Sequence, residues 1–416
     1  MTNVVDIETC SFCGANKKEK KLVGSDISYI CEDCTDLVKS QFKSNAIQEL
    51  SAVQNKEDLK KIFAGLNHLK PANLKAILDK QIVSQEQAKK LCSLALYEHL
   101  KRKAIHKAGD KVEGVTLDKP NMLLLGSTGV GKTEISRILT KSCNLPMVTI
   151  DCTSLTEAGY VGDSVDDIIR SLLVKADDDV EAAEWGIVFL DEVDKLCSRH
   201  SVNTTADVGG QGVQDALLKL IEGTEIRVQS NGGRKTSGSS QVVIDTSNIL
   251  FISSGAFTGI DEKQTPASIG FLRKDHEKED AQDPLSAYDD IEVKDIVKFG
   301  LSPEFIGRFS ILVPFKNLSR DDLVSILKNA DNSVLKKITF SAYLDGTDLE
   351  FSDEALIAIA DVAAKLKVGA RALSQVLYRT LEDIRYNSSN AALGSVLVTK
   401  EMVLDKNKGI NNNEPK

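Results

Sequence analysis

Three groups of residues have types and spacings that could do chemistry. GSTGVGKT (126–133) is a glycine-rich loop ending in Lys132 and Thr133, placed directly after the apolar run NMLLL and before KTEISRILTKSC. Gly126, Gly129 and Gly131 let Ser127, Thr128, Val130 and their neighbours turn backbone N–H groups around phosphates. Lys132 can reach the β/γ-phosphates and Thr133 can offer a hydroxyl to Mg²⁺. The N-terminus of the helix that follows adds a favourable field for an anion. GIVFLDEVDK (186–195) is the second group: an apolar strand ending in Asp191 and Glu192. The first carboxylate suits a place beside Mg²⁺ and the second suits orienting the attacking water. Alone, an acid after a strand reads equally as a helix N-cap. With the phosphate loop ahead of it, the pair points to ATP hydrolysis.

The third group is Cys10-x-x-Cys13 and Cys31-x-x-Cys34, with 17 residues between the pairs. That spacing falls in the range of a closed four-thiolate Zn²⁺ site, in which no position is left open for catalysis. About 40 residues can hardly fold on their own burial, so a metal would supply the missing folding energy. The competing reading is four incidental buried thiols.

These groups need elements to hold them. The chain has 416 residues, 42% hydrophobic, enough for two or three domains. From about Leu69, short apolar runs alternate with amphipathic helices: NMLLL (121–125), MVTID (147–151), GIVFLD (186–191) and NILFIS (248–253). This is the pattern of a mostly parallel α/β sheet. From Ser319 the pattern becomes largely helical. The expected organisation is a Cys₄ module over 1–42, a polar linker over 43–68 and a large α/β ATPase domain over 69–318. A smaller, mostly helical domain over 319–404 and a disordered tail over 405–416 complete it. Two stretches, 229–241 and 261–294, resist assignment to any element, as functional or structureless insertions do.

Composition excludes several classes. A net charge of −9 disfavours a nucleic-acid coat. No apolar run approaches a membrane span, and the start MTNVVDIETC lacks the pattern of a secretory signal. The remaining cysteines (Cys92, Cys143, Cys152, Cys197) are scattered, which fits a reducing compartment, read as cytoplasm. The five histidines sit in no protease signature, so the chain is not expected to cut peptides.

Three further features stay ambiguous on residue chemistry alone. Arg308 in PEFIGRF and Arg371 in VGARAL could face a γ-phosphate or form surface ion pairs. Tyr160 and Val161 stand between Gly159 and Gly162, just before a helix expected to begin near Asp163 or Ser164. They could be a gripping tip or a partly buried turn.

In order and spacing, the Cys₄ module, the phosphate loop, LDEVDK, AGYVG, LLKLIEGT, PEFIGR and GAR resemble the ClpX family. These are the ATP-dependent AAA+ protein unfoldases that partner with a ClpP-type peptidase. The resemblance covers nearly the whole chain, and the zinc module joined to AGYVG and to an IGF tripeptide is its most specific part. It implies a P-loop AAA+ large domain and a helical small domain in a homo-hexamer, acting on tagged or unfolded proteins and adaptors. It further implies that Tyr160 and Val161 grip substrate in an axial pore, and that Ile269, Gly270 and Phe271 dock on the peptidase. Arg308 would reach a neighbour's ATP, Arg371 would sense nucleotide, and Ile82 and Val83 would line the adenine pocket. The sequence departs from the family at Ser84 (usually Gly), at Ala206 and Gln211 in TADVGGQG, and at Thr236 after Arg234 and Lys235. Those departures bear on tag preference and grip. A stand-alone remodelling chaperone and a zinc-ribbon DNA-associated ATPase are the competing functions.

Overall fold

The computed structural model describes residues 9–16, 20–24, 28–39, 64–107, 117–156, 164–197, 208–229, 241–260, 288, 291–390 and 393–408. The chain divides into two compact units, residues 1–67 with 101–117, and 68–100 with 118–416.

In the first unit, a short antiparallel hairpin, β1 (Leu22–Gly24) and β2 (Tyr29–Cys31), is followed by a helix over 32–39, α1. The hairpin and the turn after Cys10 bring the two cysteine pairs together. Gly14 takes φ +75, and its N–H closes the turn onto the Cys10 carbonyl at 2.8 Å. That backbone favours glycine.

The second unit opens with α2 (Pro71–Asp79) and most of α3 (Glu86–Lys107), whose residues from Lys101 on fall in the first unit. Its centre is a five-stranded sheet of order β4-β5-β8-β3-β9. The strands are β3 (Met122–Leu125), β4 (Met147–Asp151), β5 (Ile187–Asp191), β8 (Leu250–Gly255) and β9 (Ile311–Pro314), and every pair is parallel. The three middle strands are buried almost throughout, which is why they read as continuous apolar runs rather than alternating ones. Helices α4 (Lys132–Ser142), α5 (Val165–Lys175), α6 (Val180–Glu184) and α7 (Val208–Glu222) connect the strands, and α5 and α7 bury apolar stripes in the sheet's main core. Ser164 caps α5, its N–H bonded to Asp167 at 3.0 Å, so the helix starts where the sequence places it.

Some expectations change. The stretch 229–241 is bordered by a hairpin, β6 (Glu225–Gln229) with β7 (Gln241–Asp245), so its two end residues lie in strands. Residues 291–294 lead into α8 (Val293–Phe299), capped by Glu292 and Asp295. The short α9 (Pro303–Ile306) then precedes β9.

The small domain packs α10 (Arg320–Asn329), α11 (Val334–Leu344), α12 (Asp353–Lys365) and α13 (Arg371–Ser388) around a second core that includes Leu327, Ile359, Val376 and Leu377. Each such fully buried side chain contributes about 1.5–3 kcal/mol. Two parallel strands, β10 (Thr347–Phe351) and β11 (Gly394–Val398), close it. The last helix, α14 (Lys400–Lys406), carries the domain past residue 404, the boundary expected from sequence. Asn407 is buried, and its amide donates to Thr380 at 3.1 Å. Thus 405–408 belong to the small domain. Among the described residues no helix is long and apolar enough to cross a membrane.

Candidate active site

The loops leaving the C-terminal ends of β3, β5 and β8 converge on one cleft of about 820 Å³. Ligand sites of open parallel sheets form at that end of the strands. Three glycines shape the loop after β3. Gly126, Gly129 and Gly131 have φ of +156, +76 and +106. A Cβ on Gly126 would lie 2.7 Å from that of Phe315, and one on Gly129 would lie 2.2 Å from the Val368 carbonyl oxygen. The loop is thus pressed against β9 on one side and the small domain on the other.

Thr128 to Thr133 line the cleft, whereas Gly126 and Ser127 are not among its lining residues. Ser127 instead donates its hydroxyl to the Asn317 side chain at 2.6 Å. Lys132 is buried, with its ammonium on the carbonyls of Gly126 and Ser127, 2.9 Å from the second. Burial pushes its pKa down to about 8, against the opposing pull of Asp191 and Asp194. The N-terminus of α4 beside it suits an anion that would favour the charged lysine.

Asp191 ends β5 and accepts from two sides. Its Oδ2 takes the Thr133 hydroxyl at 3.3 Å and its Oδ1 takes the Glu192 N–H at 3.1 Å. Thr133 and Asp191 therefore form an oxygen pair fit for a hard divalent cation. Glu192 is exposed and has left-handed backbone, φ 57, ψ 36. Such strain in a residue other than glycine clusters at functional sites. Here it turns the Glu192 side chain out of the sheet and into the cleft lining.

One wall of the cleft includes Ile82 and Val83, between α2 and α3. Arg371, the first residue of α13, reaches the cleft from the small domain. The cleft thus gathers Lys132, Thr133, Asp191, Glu192, Ile82, Val83 and Arg371. It does not gather Arg308, which lies beyond α9 and is half-exposed. Its side chain pairs with Glu222 at the end of α7, and its carbonyl accepts from Asn121 at 3.0 Å.

Two cleft residues escape sequence reading. Asp194 is buried and accepts the Ala256 N–H at 3.2 Å, tying the turn after β5 to the loop after β8. Ser254 on β8 has a fully buried hydroxyl with no partner among the described residues. Asp194 sits within the LDEVDK stretch, but its bond to the loop after β8, like the burial of Ser254, follows from the pairing of β5 and β8.

In the first unit the four cysteine sulfurs, Cys10, Cys13, Cys31 and Cys34, all lie within 4.8 Å of one another. Cys13 and Cys31 are 3.6 Å apart. Tetrahedral thiolates at the usual ~2.3 Å from a metal would stand about 3.8 Å apart, so the cluster fits such an ion. The separation is too great for a disulfide. Burial opposes the charge on Cys10, yet backbone N–H groups near it, including that of Cys31 at 3.3 Å, bring its thiol down to about 6. Hydrogen bonds with Cys31 and Cys13 push Cys34 up to about 12. Four sulfurs this close together, with the Cys10 thiol lowered, form an arrangement a cation would complete.

Residues 118–312 match the model of the AAA domain (Cdc48 subfamily), and residues 318–386 match the C-terminal, D2-small domain of ClpB protein. The chain is 38% identical over 409 residues to the ATP-dependent Clp protease ATP-binding subunit ClpX of Borrelia duttonii (strain Ly). It matches the same subunit of Borrelia recurrentis (strain A1) equally well, and each alignment spans 96% of this chain and 92% of the relative. The chain belongs to the ClpX family. It is an AAA+ ATPase. Of the sequence-derived sites, Tyr160 and Val161, Ile269, Gly270 and Phe271, and the departures Ala206 and Thr236 lie outside the described residues. So do residues 409–416 of the expected tail.

Proposed function

We propose that this chain is the ATP-driven subunit of a homo-hexameric ring that unfolds tagged proteins and threads them into a ClpP-type peptidase. Family membership over nearly the whole chain supports the reading. The observation that carries it is the position of Arg371: one cleft takes its lining from both the large and the small domain. Nucleotide chemistry there has a direct handle on the orientation of the small domain.

In this reading Lys132 and the loop N–H groups hold the phosphates, and Ile82 and Val83 hold the base. Thr133 and Asp191 would hold Mg²⁺, which supplies charge neutralisation at the phosphates. Glu192 orients and polarises the attacking water. Arg371 reads the state of the γ-phosphate. Arg308, exposed and away from its own cleft, is available to a neighbour's ATP. Tyr160 and Val161 grip the polypeptide, and Ile269, Gly270 and Phe271 dock on the peptidase. Cys10, Cys13, Cys31 and Cys34 hold a structural Zn²⁺. The ring works in the cytoplasm with tagged substrates and adaptors, and leaves peptide cleavage to its partner.

The docking part is tested with Phe271→Ala. Stimulation of peptidase by the ring should vanish while ATP hydrolysis persists. Undiminished stimulation would refute the docking assignment and favour a stand-alone remodelling chaperone.

A further inference from the structure

Two consecutive residues beside the base side of the cleft have left-handed backbone, Ser84 at φ 57 and Gln85 at φ 61. Neither is glycine, and such conformations persist where surrounding contacts over-determine them. Here those contacts lead from the cleft to the small domain.

Gln85 is 3% exposed, and both ends of its carboxamide are used on one residue. Its Nε2 donates to the Lys316 carbonyl at 2.7 Å, and its Oε1 accepts the Lys316 N–H at 2.9 Å. The same Nε2 lies 3.5 Å from the Val130 carbonyl of the phosphate loop. Ser84 donates its hydroxyl to Oδ1 of Asp322. The other oxygen of Asp322 accepts the N–H and hydroxyl of Ser319, at 2.9 and 2.8 Å, in the capping box that starts α10. Burial works against its charge, but the hydrogen bonds from Ser84 and Ser319 prevail and hold its carboxyl below the usual range.

Residues 316–322 lead from the end of β9 into the small domain. On the opposite side of the segment, Ile82 and Val83 face the cleft. From behind, Lys89, 2% exposed, lies 3.4 Å from the Ile82 carbonyl and pairs with Asp79 at 2.6 Å and Glu86 at 2.7 Å. Among the described residues, hydrogen bonds tie the segment to α3, to the phosphate loop and to the lead-in to α10, and just ahead of it the Asp331 N–H of the small domain donates to the Lys80 carbonyl at 3.0 Å. A shift of Ile82 that broke the Gln85 pairing would orphan buried donors and acceptors. Ile82 and residues 316–322 are thus joined through Gln85.

We propose that Ser84 and Gln85 are positioning residues that couple the base side of the nucleotide site to the start of α10, so that base affinity and small-domain orientation form one equilibrium. The inference rests on the reading of Ile82 and Val83 as the base contacts.

The test uses the full chain and two ligands, ATP and tripolyphosphate, which lacks a base. Ser84→Gly keeps the left-handed backbone at ease and removes the hydroxyl. Asp322→Ala removes its partner from a residue that lines no part of the cleft. Each should weaken ATP binding by about fivefold or more, as coupling between linked sites does, and leave tripolyphosphate binding as it was. The double variant should lose no more than either single one. Additive losses, equal losses for both ligands, or unchanged ATP affinity in Ser84→Gly would each overturn the proposal. Ile82→Ala reports separately on the base reading. If it weakens neither ligand, that reading fails whatever Ser84 does.

Discussion

The backbone N–H of Ala370 donates to the carbonyl of Gly129 at 3.0 Å. The phosphate loop is thus bonded directly to the residue before Arg371, and the small domain enters the nucleotide site through backbone as well as through its arginine. The approach is close because both sides are glycine. A Cβ on Gly369 would lie 2.7 Å from the carbonyl oxygens of both Thr128 and Gly129, and Gly369 has φ +60.

Gly369→Ala should therefore separate the two backbones and move Arg371 out of register. The left-handed alanine itself costs about 1–2 kcal/mol. ATP hydrolysis at low substrate is expected to fall by on the order of tenfold or more. Steady-state kinetics beside urea unfolding would separate the two effects. A variant with full kcat/KM would show that the contact is dispensable.

Lys132 gives a pH signature. Its pKa in the free site is lowered to about 8, with burial as the main cause. Phosphate in the loop restores an anionic partner and raises that pKa toward its ordinary value. Below pH 8 the lysine is already charged in both states, so binding takes up little proton. Above pH 8 the free site has lost its proton and binding must restore it. ATP affinity should thus weaken as pH rises through about 8, with proton uptake on binding. Calorimetry in two buffers of different ionisation heat would detect it. Lys132→Ala should abolish the uptake.

Metal removal should act on the first unit alone. Structural Zn²⁺ in small modules contributes about 10–16 kcal/mol of apparent binding energy at neutral pH, which is folding energy. A strong chelator, or Cys34→Ser, should release about one ion per chain. Amide protection in β1 and β2 should then be lost. ATP hydrolysis by residues of the second unit should continue. Retained protection after demetallation would mean that the four thiols pack without an ion.

Much of this was legible because it is local. MVTID became β4 residue for residue, since a five-residue β-rich run beside a buried sheet has few other uses. The phosphate loop, Asp191 and Glu192 were legible because their chemistry fixes their spacing along one strand and its turn. What escaped depends on distant pairing. Strand β9 is short, ends in Pro314 and is only partly buried, so nothing in its own residues declares it. Asp194 and Ser254 matter only because β5 lies beside β8. The roles of Ser84 and Gln85 depend on residues 316–322, which no periodicity places there. Arg308 and Arg371 read alike in sequence, yet the fold sets only Arg371 in the cleft of its own chain.

The central claim, that hydrolysis in this cleft pulls proteins apart, is tested most directly by the fluorescence of a stably folded fluorescent protein carrying an unstructured tail. The parent chain with ATP should extinguish it, and should not do so without ATP. Glu192→Gln should bind ATP without supporting the loss, and Tyr160→Ala should hydrolyse ATP but unfold slowly. Full unfolding speed in Tyr160→Ala would contradict the pore assignment. Persistent fluorescence with every tail tried, while the parent still hydrolyses ATP, would contradict the claim itself.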